Sequence, residues 1–156
     1  MYKIVEHQPG SYTNEEKLFA LLCHLSVFIG GVFLPIILWA TQKDKSKFVA
    51  FHALQAIFYQ LSCIVIYVIF IFVFIFFYMF LSVGAGVLFF GLSPDFAPLV
   101  TILIVIGSII FYAAIFIAIF GFMGYAIYVG IKAHQGELRK YPFIGDIIYK
   151  KVYKTP

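Results

Sequence analysis

Apolar positions in this chain come in three long runs, and the pattern inside each decides what it can be. The first, Leu18 to Ala40, carries no charge. Ahead of it, Thr13-Asn14-Glu15-Glu16 has capping-box spacing: the Thr13 side chain reaches the backbone N–H of Glu16, and Glu16 reaches back to that of Thr13. The pattern predicts a helix over 18–40, long enough for a hydrocarbon core of about 30 Å. Gly30-Gly31 and Pro35 weaken its hydrogen-bond ladder and predict a kink or a short unwound turn.

The second run, 48–82, is longer than a bilayer needs. Its first half bears a polar stripe at His52, Gln55, Tyr59 and Ser62, steps of three and four that share one helical face. Its second half, from Ile64 to Leu81, is β-branched and aromatic almost throughout. In lipid every backbone N–H must bond within its own segment, so helix is expected there despite the strand-forming composition. Gly84, Gly86, Gly91, Pro94 and Pro98, with Asp95 among them, predict an irregular connection over 83–98. The third run, 99–131, repeats Gly107, Phe111, Ala114, Ala118, Gly121, Tyr125 and Tyr128 along one face. Small residues at that spacing allow close helix approach in membranes, within the chain or with another helix.

The expected fold is all-α: an integral membrane protein with a polar segment at 1–17, a helical domain at 18–131 with spans near 18–40, 48–82 and 99–131, and a basic tail at 132–156. In the tail, Ile144, Ile147, Ile148 and Val152 share a helical face, flanked by Tyr149 and Tyr153. This suits either an amphipathic helix on the cytoplasmic membrane surface or a solvated tail.

Composition agrees with the pattern. Hydrophobic residues are 63% and charged residues 12% of the chain, against about 45–50% and about 25% in globular domains. Between Phe48 and Ile131 the only Asp, Glu, Lys or Arg is Asp95, which a water-soluble fold could not accommodate. The 1–17 segment lacks a basic region followed at once by an apolar one, so a cleavable signal peptide is not expected. The net charge of +4 does not point to nucleic acid, because the cations flank apolar spans. With three spans, Lys43, Lys45 and Lys47 share a side with Lys132, Arg139, Lys140, Lys150, Lys151 and Lys154. The positive-inside rule then places the N-terminus outside and the C-terminus in the cytoplasm of a bacterial inner membrane. A four-span arrangement divides these cations and fits less well. Trp39, beside the cationic loop, is the expected interface anchor.

Chemistry-bearing residues are sparse. His24 and His52 are the candidate pair, but with a straight first span their depths differ by roughly 18 Å at about 1.5 Å per residue. Metal ligands lie about 2 Å from one ion, so each histidine is expected as a separate hydrogen-bonded group, with a metal or haem site across protomers as the lowest-ranked alternative. Gln55, Tyr59 and Gln60 join His52 as polar intramembrane candidates, for helix–helix hydrogen bonds or a small cavity. Asp95 reads as a turn residue. Cys23 and Cys63 read as small buried groups without disulfide or metal spacing. No nucleophile–base set, phosphate loop or Cys/His cluster is visible, so neither enzymatic activity nor a cofactor or metal is expected.

Glu16-Lys17, Ala20, His24-Leu25, Pro35, Trp39, Lys43-Asp44-Lys45-Ser46, Phe48-Val49, His52-Ala53, Gln55-Ala56 and the closing Gly136-Glu137 and Tyr141-Pro142 together resemble the Tic-twenty-like family of small bacterial membrane proteins. That resemblance implies a small polytopic protein, linked in plastids to protein import. The chain departs from it at Phe58, where the family commonly has Asn, and in its span count, since plastid members have four. The function expected from the chain as a whole is non-enzymatic. It acts through the lipid bilayer and other membrane helices, as a homo-oligomer or a subunit of a membrane complex. The alternative is a transport or protein-conducting pore lined by the polar face of the second helix.

Overall fold

The computed structural model describes residues 12–91 and 96–153. Asp95, Pro94 and Lys154 lie outside them. The described residues form five helices: α1 Asn14–Ile29, α2 Phe33–Gln42, α3 Lys47–Gly91, α4 Ala97–His134 and α5 Ile144–Tyr153. They fall into two compact units, one of residues 1–63 and 122–156 and one of residues 64–121. The 18–131 division expected from the sequence is cut across by these units.

The first apolar run is not one span. The Thr13–Glu16 capping box starts α1, with both reciprocal bonds made. At Gly30-Gly31 the chain turns, Gly31 adopting φ +52°, which glycine tolerates because it has no Cβ. Pro35 then falls in the first turn of α2, where its missing N–H breaks no helical bond. α2 folds back on α1: Leu34, Leu38 and Trp39 pack with Phe19, Leu22 and Cys23, and Ser46, just after α2, lies beside the Glu16 carboxyl near the start of α1. At 16 and 10 residues these helices fall short of the roughly 20 needed to cross a bilayer. The expected three spans thus become a helical hairpin and two helices long and apolar enough to cross a membrane, Lys47–Gly84 and Pro98–His134.

The irregular connection expected over 83–98 is also narrower. α3 continues through Gly84 and Gly86 to Gly91, and α4 begins at Ala97. In an apolar setting no water competes for backbone groups, so glycine loses its power to end a helix.

In the first unit, α1, α2, the start of α3, the end of α4 and α5 enclose a core. Ala20, Phe48, Val49 and Ala133 join α1, α3 and α4. Gly130 of α4 lies so close to α1 that a Cβ there would sit 3.2 Å from His24 Cβ. After α4 the chain doubles back, and α5 packs Ile148 with Ile144, Tyr149, Val152 and Tyr153 around Phe51 and Leu54 of α3. Of the apolar face assigned to a membrane surface or to solvent, Ile144, Ile148 and Val152 therefore pack on α3, while Ile147 stays exposed.

In the second unit α3 and α4 meet through aromatic contacts, Phe74 stacking on Phe111 at 4.2 Å between ring centroids. Most of its large side chains are exposed, from Ile64 and Val65 through Phe80 on α3 and from Leu99 through Phe120 on α4. That surface is apolar, as a lipid-facing surface must be.

Candidate functional site

The polar residues of the first unit converge on one buried cluster. Because the Ser46 side chain lies beside the Glu16 carboxyl, the two stand level, and depth along α1 and α3 is counted from them. His24 is eight residues past Glu16 and His52 six past Ser46, a difference of roughly 3 Å at about 1.5 Å per residue. The two rings meet, with His24 Nε2 3.1 Å from His52 Nδ1. The expectation that these histidines lie far apart fails because it measured the depth of His24 through α2, which folds back on α1 instead of extending it.

Tyr141, from the segment between α4 and α5, completes a line of bonds. Its hydroxyl lies 3.0 Å from His24 Nδ1. Burial pushes the Tyr141 phenol above its ordinary range, so it keeps its proton and is able to donate; the Glu137 carbonyl facing His52 favours the order in which it does. His24 then accepts at Nδ1, carries its hydrogen on Nε2 and donates to His52 Nδ1. That leaves the His52 hydrogen on Nε2, which has no partner in ordinary hydrogen-bond geometry but looks onto the backbone carbonyl of Glu137. This orientation of protons makes both bonds of the line with both rings neutral and leaves His52 Nε2 outside it.

Gln55 fixes the returning segment by its main chain. Its Oε1 accepts from the Tyr141 backbone N–H at 2.8 Å, and its Nε2 donates to the Arg139 carbonyl at 3.0 Å. The Tyr141 ring stacks on Tyr59 at 4.1 Å with 7° between planes, while the Tyr59 hydroxyl donates to the Phe122 carbonyl at 2.9 Å. Gln60 donates to Ser26 Oγ at 2.8 Å, and Ser26 donates to the Cys23 carbonyl at 2.7 Å. His24, His52, Gln55 and Gln60 are buried side chains, and their polar groups are spent mainly on one another and on backbone.

The other candidates lie elsewhere. Trp39 is half-buried against α1 and α5, with Lys43 Nζ 5.3 Å from its ring centroid. Gly107, Ala114, Ala118 and Gly121 are exposed in the second unit, and a Cβ built at Gly107 or Gly121 would meet nothing within 4 Å. Among the described residues no group of three or more His, Cys, Asp or Glu could hold a metal. No site role for Tyr141, Ser26, Gly130 or Gly145 could be read from the sequence alone. The last packs so tightly that a Cβ would lie 2.5 Å from Lys140 Cβ and 2.9 Å from Gln55 Oε1. A Tyr-Pro pair in a basic tail gave no sign of burial, although Gly145 beside it marks a close approach.

Fold and site together define a small all-helical membrane protein with a hydrogen-bonded histidine–tyrosine core. The sequence model of the magnetosome magnetite crystal formation protein family matches residues 15–148, and the chain belongs to that family. This corrects the resemblance to the Tic-twenty-like family. The short motifs that carried it map to the α1 cap, the hairpin and the buried cluster, and such local packing requirements do not single out a family. No curated protein and no solved structure matches the chain.

Proposed function

We propose that this protein is a non-enzymatic component of a bacterial inner membrane that serves magnetite crystal formation through contacts between membrane helices. The observation that carries this reading is the incompletely filled small-residue face of α4, where Gly107 and Ala114 line a cavity with Phe74, Phe77 and Tyr78 of α3. Gly107, Ala114, Ala118 and Gly121 lie on one side of the helix, exposed, and Gly107 and Gly121 have open space where a Cβ would go. Small residues let helix backbones approach closely where no hydrophobic drive exists between helices. The occupant is a second copy or a helix of a partner in the same membrane.

The hairpin changes the topology. Two crossings put both termini on one side, together with Lys17, Lys43, Lys45, Lys47, Lys132, Arg139, Lys140, Lys150 and Lys151. The positive-inside rule makes that side cytoplasmic, in place of an external N-terminus. The pore alternative loses support, since His52, Gln55, Tyr59 and Gln60 are packed against α1, α4 and the returning segment.

The test is the mass of the protein purified in mild detergent, for the wild type and for Gly107→Leu with Gly121→Leu. An oligomer or complex that dissociates in the double variant supports the reading, and a wild-type monomer without partners overturns it. The crystal-formation role is tested by placing each chain in a magnetosome-forming cell in place of its own family member. Equal magnetite crystal sizes with and without the chain would remove that role.

A further inference from the structure

We propose that two turns of the first unit, the α1–α2 turn and the segment entering α5, form a rim that inserts into the lipid leaflet. The inserted side chains are Ile29, Phe33 and Phe143. This rests on the reading of α3 and α4 as membrane-crossing helices.

Both turns reach the same level on α3. Val27, just before the first turn, and Ile144, just after the second, pack into one cluster with Tyr59, Cys63 and Ala126. Gln60 is tied at that level to Ser26 of α1. The side chains at the tips are held away from the core: Ile29 is 85% exposed, Phe33 73% and Phe143 90%. Phe143 also holds φ +62°, a left-handed conformation that a bulky residue rarely adopts. The main chain is pinned there, because Tyr141 N–H is held by Gln55 and the Gly145 N–H bonds the Tyr141 carbonyl at 2.9 Å.

Charge marks which end of the unit is apolar. Positions 18–42 and 141–145 carry no Asp, Glu, Lys or Arg. Beside the second turn, Lys140 and Asp146 neutralise each other at 2.8 Å. Glu15, Glu16, Lys17 and the Lys43–Lys47 loop lie instead at the end where α1 and α3 begin. The next residues of α3, Ile64, Val65 and Ile66, are exposed and apolar. The rim therefore lies at the end of the first unit remote from the Glu15–Lys17 and Lys43–Lys47 charges. Acyl chains fit this surface better than a protein partner, because the tips come from separate elements and share only their level on the helix that enters the bilayer.

The experiment uses the full chain in phosphatidylcholine–phosphatidylglycerol vesicles, with Trp39→Phe removing the native indole. Single tryptophans are placed by Ile29→Trp, Phe143→Trp and, as a bilayer reference, Ile69→Trp. Lipids brominated on the acyl chain report immersion, and aqueous acrylamide reports solvent. Insertion predicts that Ile29→Trp and Phe143→Trp are both quenched severalfold more by brominated lipid than by acrylamide. Acrylamide quenching without lipid quenching at either position overturns the rim, as does shielding from both quenchers, which would indicate protein cover. If Ile69→Trp itself escapes brominated lipid, the membrane reading fails. If Ile69→Trp is quenched and the rim positions are not, only the rim fails.

Discussion

His24 of α1 and His52 of α3 share a hydrogen bond of 3.1 Å, and that bond ties the hairpin to the first membrane-length helix. The line continues through Tyr141, so one buried sequence of bonds joins α1, α3 and the segment before α5. Replacing His24 by Leu leaves both the Tyr141 hydroxyl and His52 without partners. An unsatisfied buried polar group costs about 1–3 kcal/mol, so His24→Leu should lose roughly 2–5 kcal/mol. Tyr141→Phe leaves only His24 Nδ1 without a partner and should cost about 1–3 kcal/mol. Thermal unfolding in detergent, followed by circular dichroism, measures both. A larger loss in Tyr141→Phe than in His24→Leu would contradict the central place of His24 in the line.

Gly145→Ala should release the tail. The new Cβ would lie 2.5 Å from Lys140 Cβ and 2.9 Å from Gln55 Oε1, so main chain must shift and the Gln55 bonds to Tyr141 and Arg139 must lengthen. Overpacking of this kind costs about 1–3 kcal/mol. The same change at Gly84, inside α3 with nothing within 4 Å of a Cβ, should be neutral or stabilise by up to about 1 kcal/mol. Limited trypsin digestion reads the difference directly: cleavage after Arg139 and Lys140 should accelerate in Gly145→Ala and stay unchanged in Gly84→Ala.

The membrane class and the helical content were legible because they depend on composition and on the uninterrupted runs of α3 and α4. The capping box of α1 was legible because it is a local pattern. The buried cluster was not, although His24, His52, Gln55, Tyr59 and Gln60 all stood out as polar positions in apolar sequence. Bringing His24 to His52 depends on one backbone angle at Gly31, and sequence shows only that glycine permits it. Tyr141 was hidden for another reason. Its burial depends on a chain reversal after His134, held by Gln55 from 86 positions away, and no local pattern records a partner at that separation.

Acid should loosen the start of α1. The Glu16 carboxyl is held below its ordinary value of 4.5, chiefly by the Ser46 side chain; burial opposes this, and the Thr13 backbone and side chain each add a smaller lowering effect. A carboxyl whose folded value lies below its unfolded one stabilises the fold above the unfolded value, and that contribution is lost as pH falls through the folded value. Glu16→Gln should therefore lower the unfolding midpoint at neutral pH. The gap between variant and wild type should shrink once pH drops below 4.5. A gap that holds constant, or widens, in acid would rule out the Glu16 carboxylate as the group responsible.

Gly31→Ala distinguishes a hairpin from a straight first span by the sign of its effect. In a continuous helix over 18–40, alanine in place of glycine would stabilise by about 1 kcal/mol, since glycine is the poorer helix former. In the hairpin, Gly31 holds φ +52° with open space around it, so no clash contributes and only the backbone preference acts. Left-handed geometry costs an L-residue about 1–2 kcal/mol. Gly31→Ala should thus destabilise by about 1 kcal/mol, and Gly31→Asn by less, because asparagine visits that region more readily. Unfolding midpoints of the three chains in the same detergent decide the matter. A stabilising Gly31→Ala would restore the straight span, and with it the separation of His24 from His52 that the hairpin abolishes.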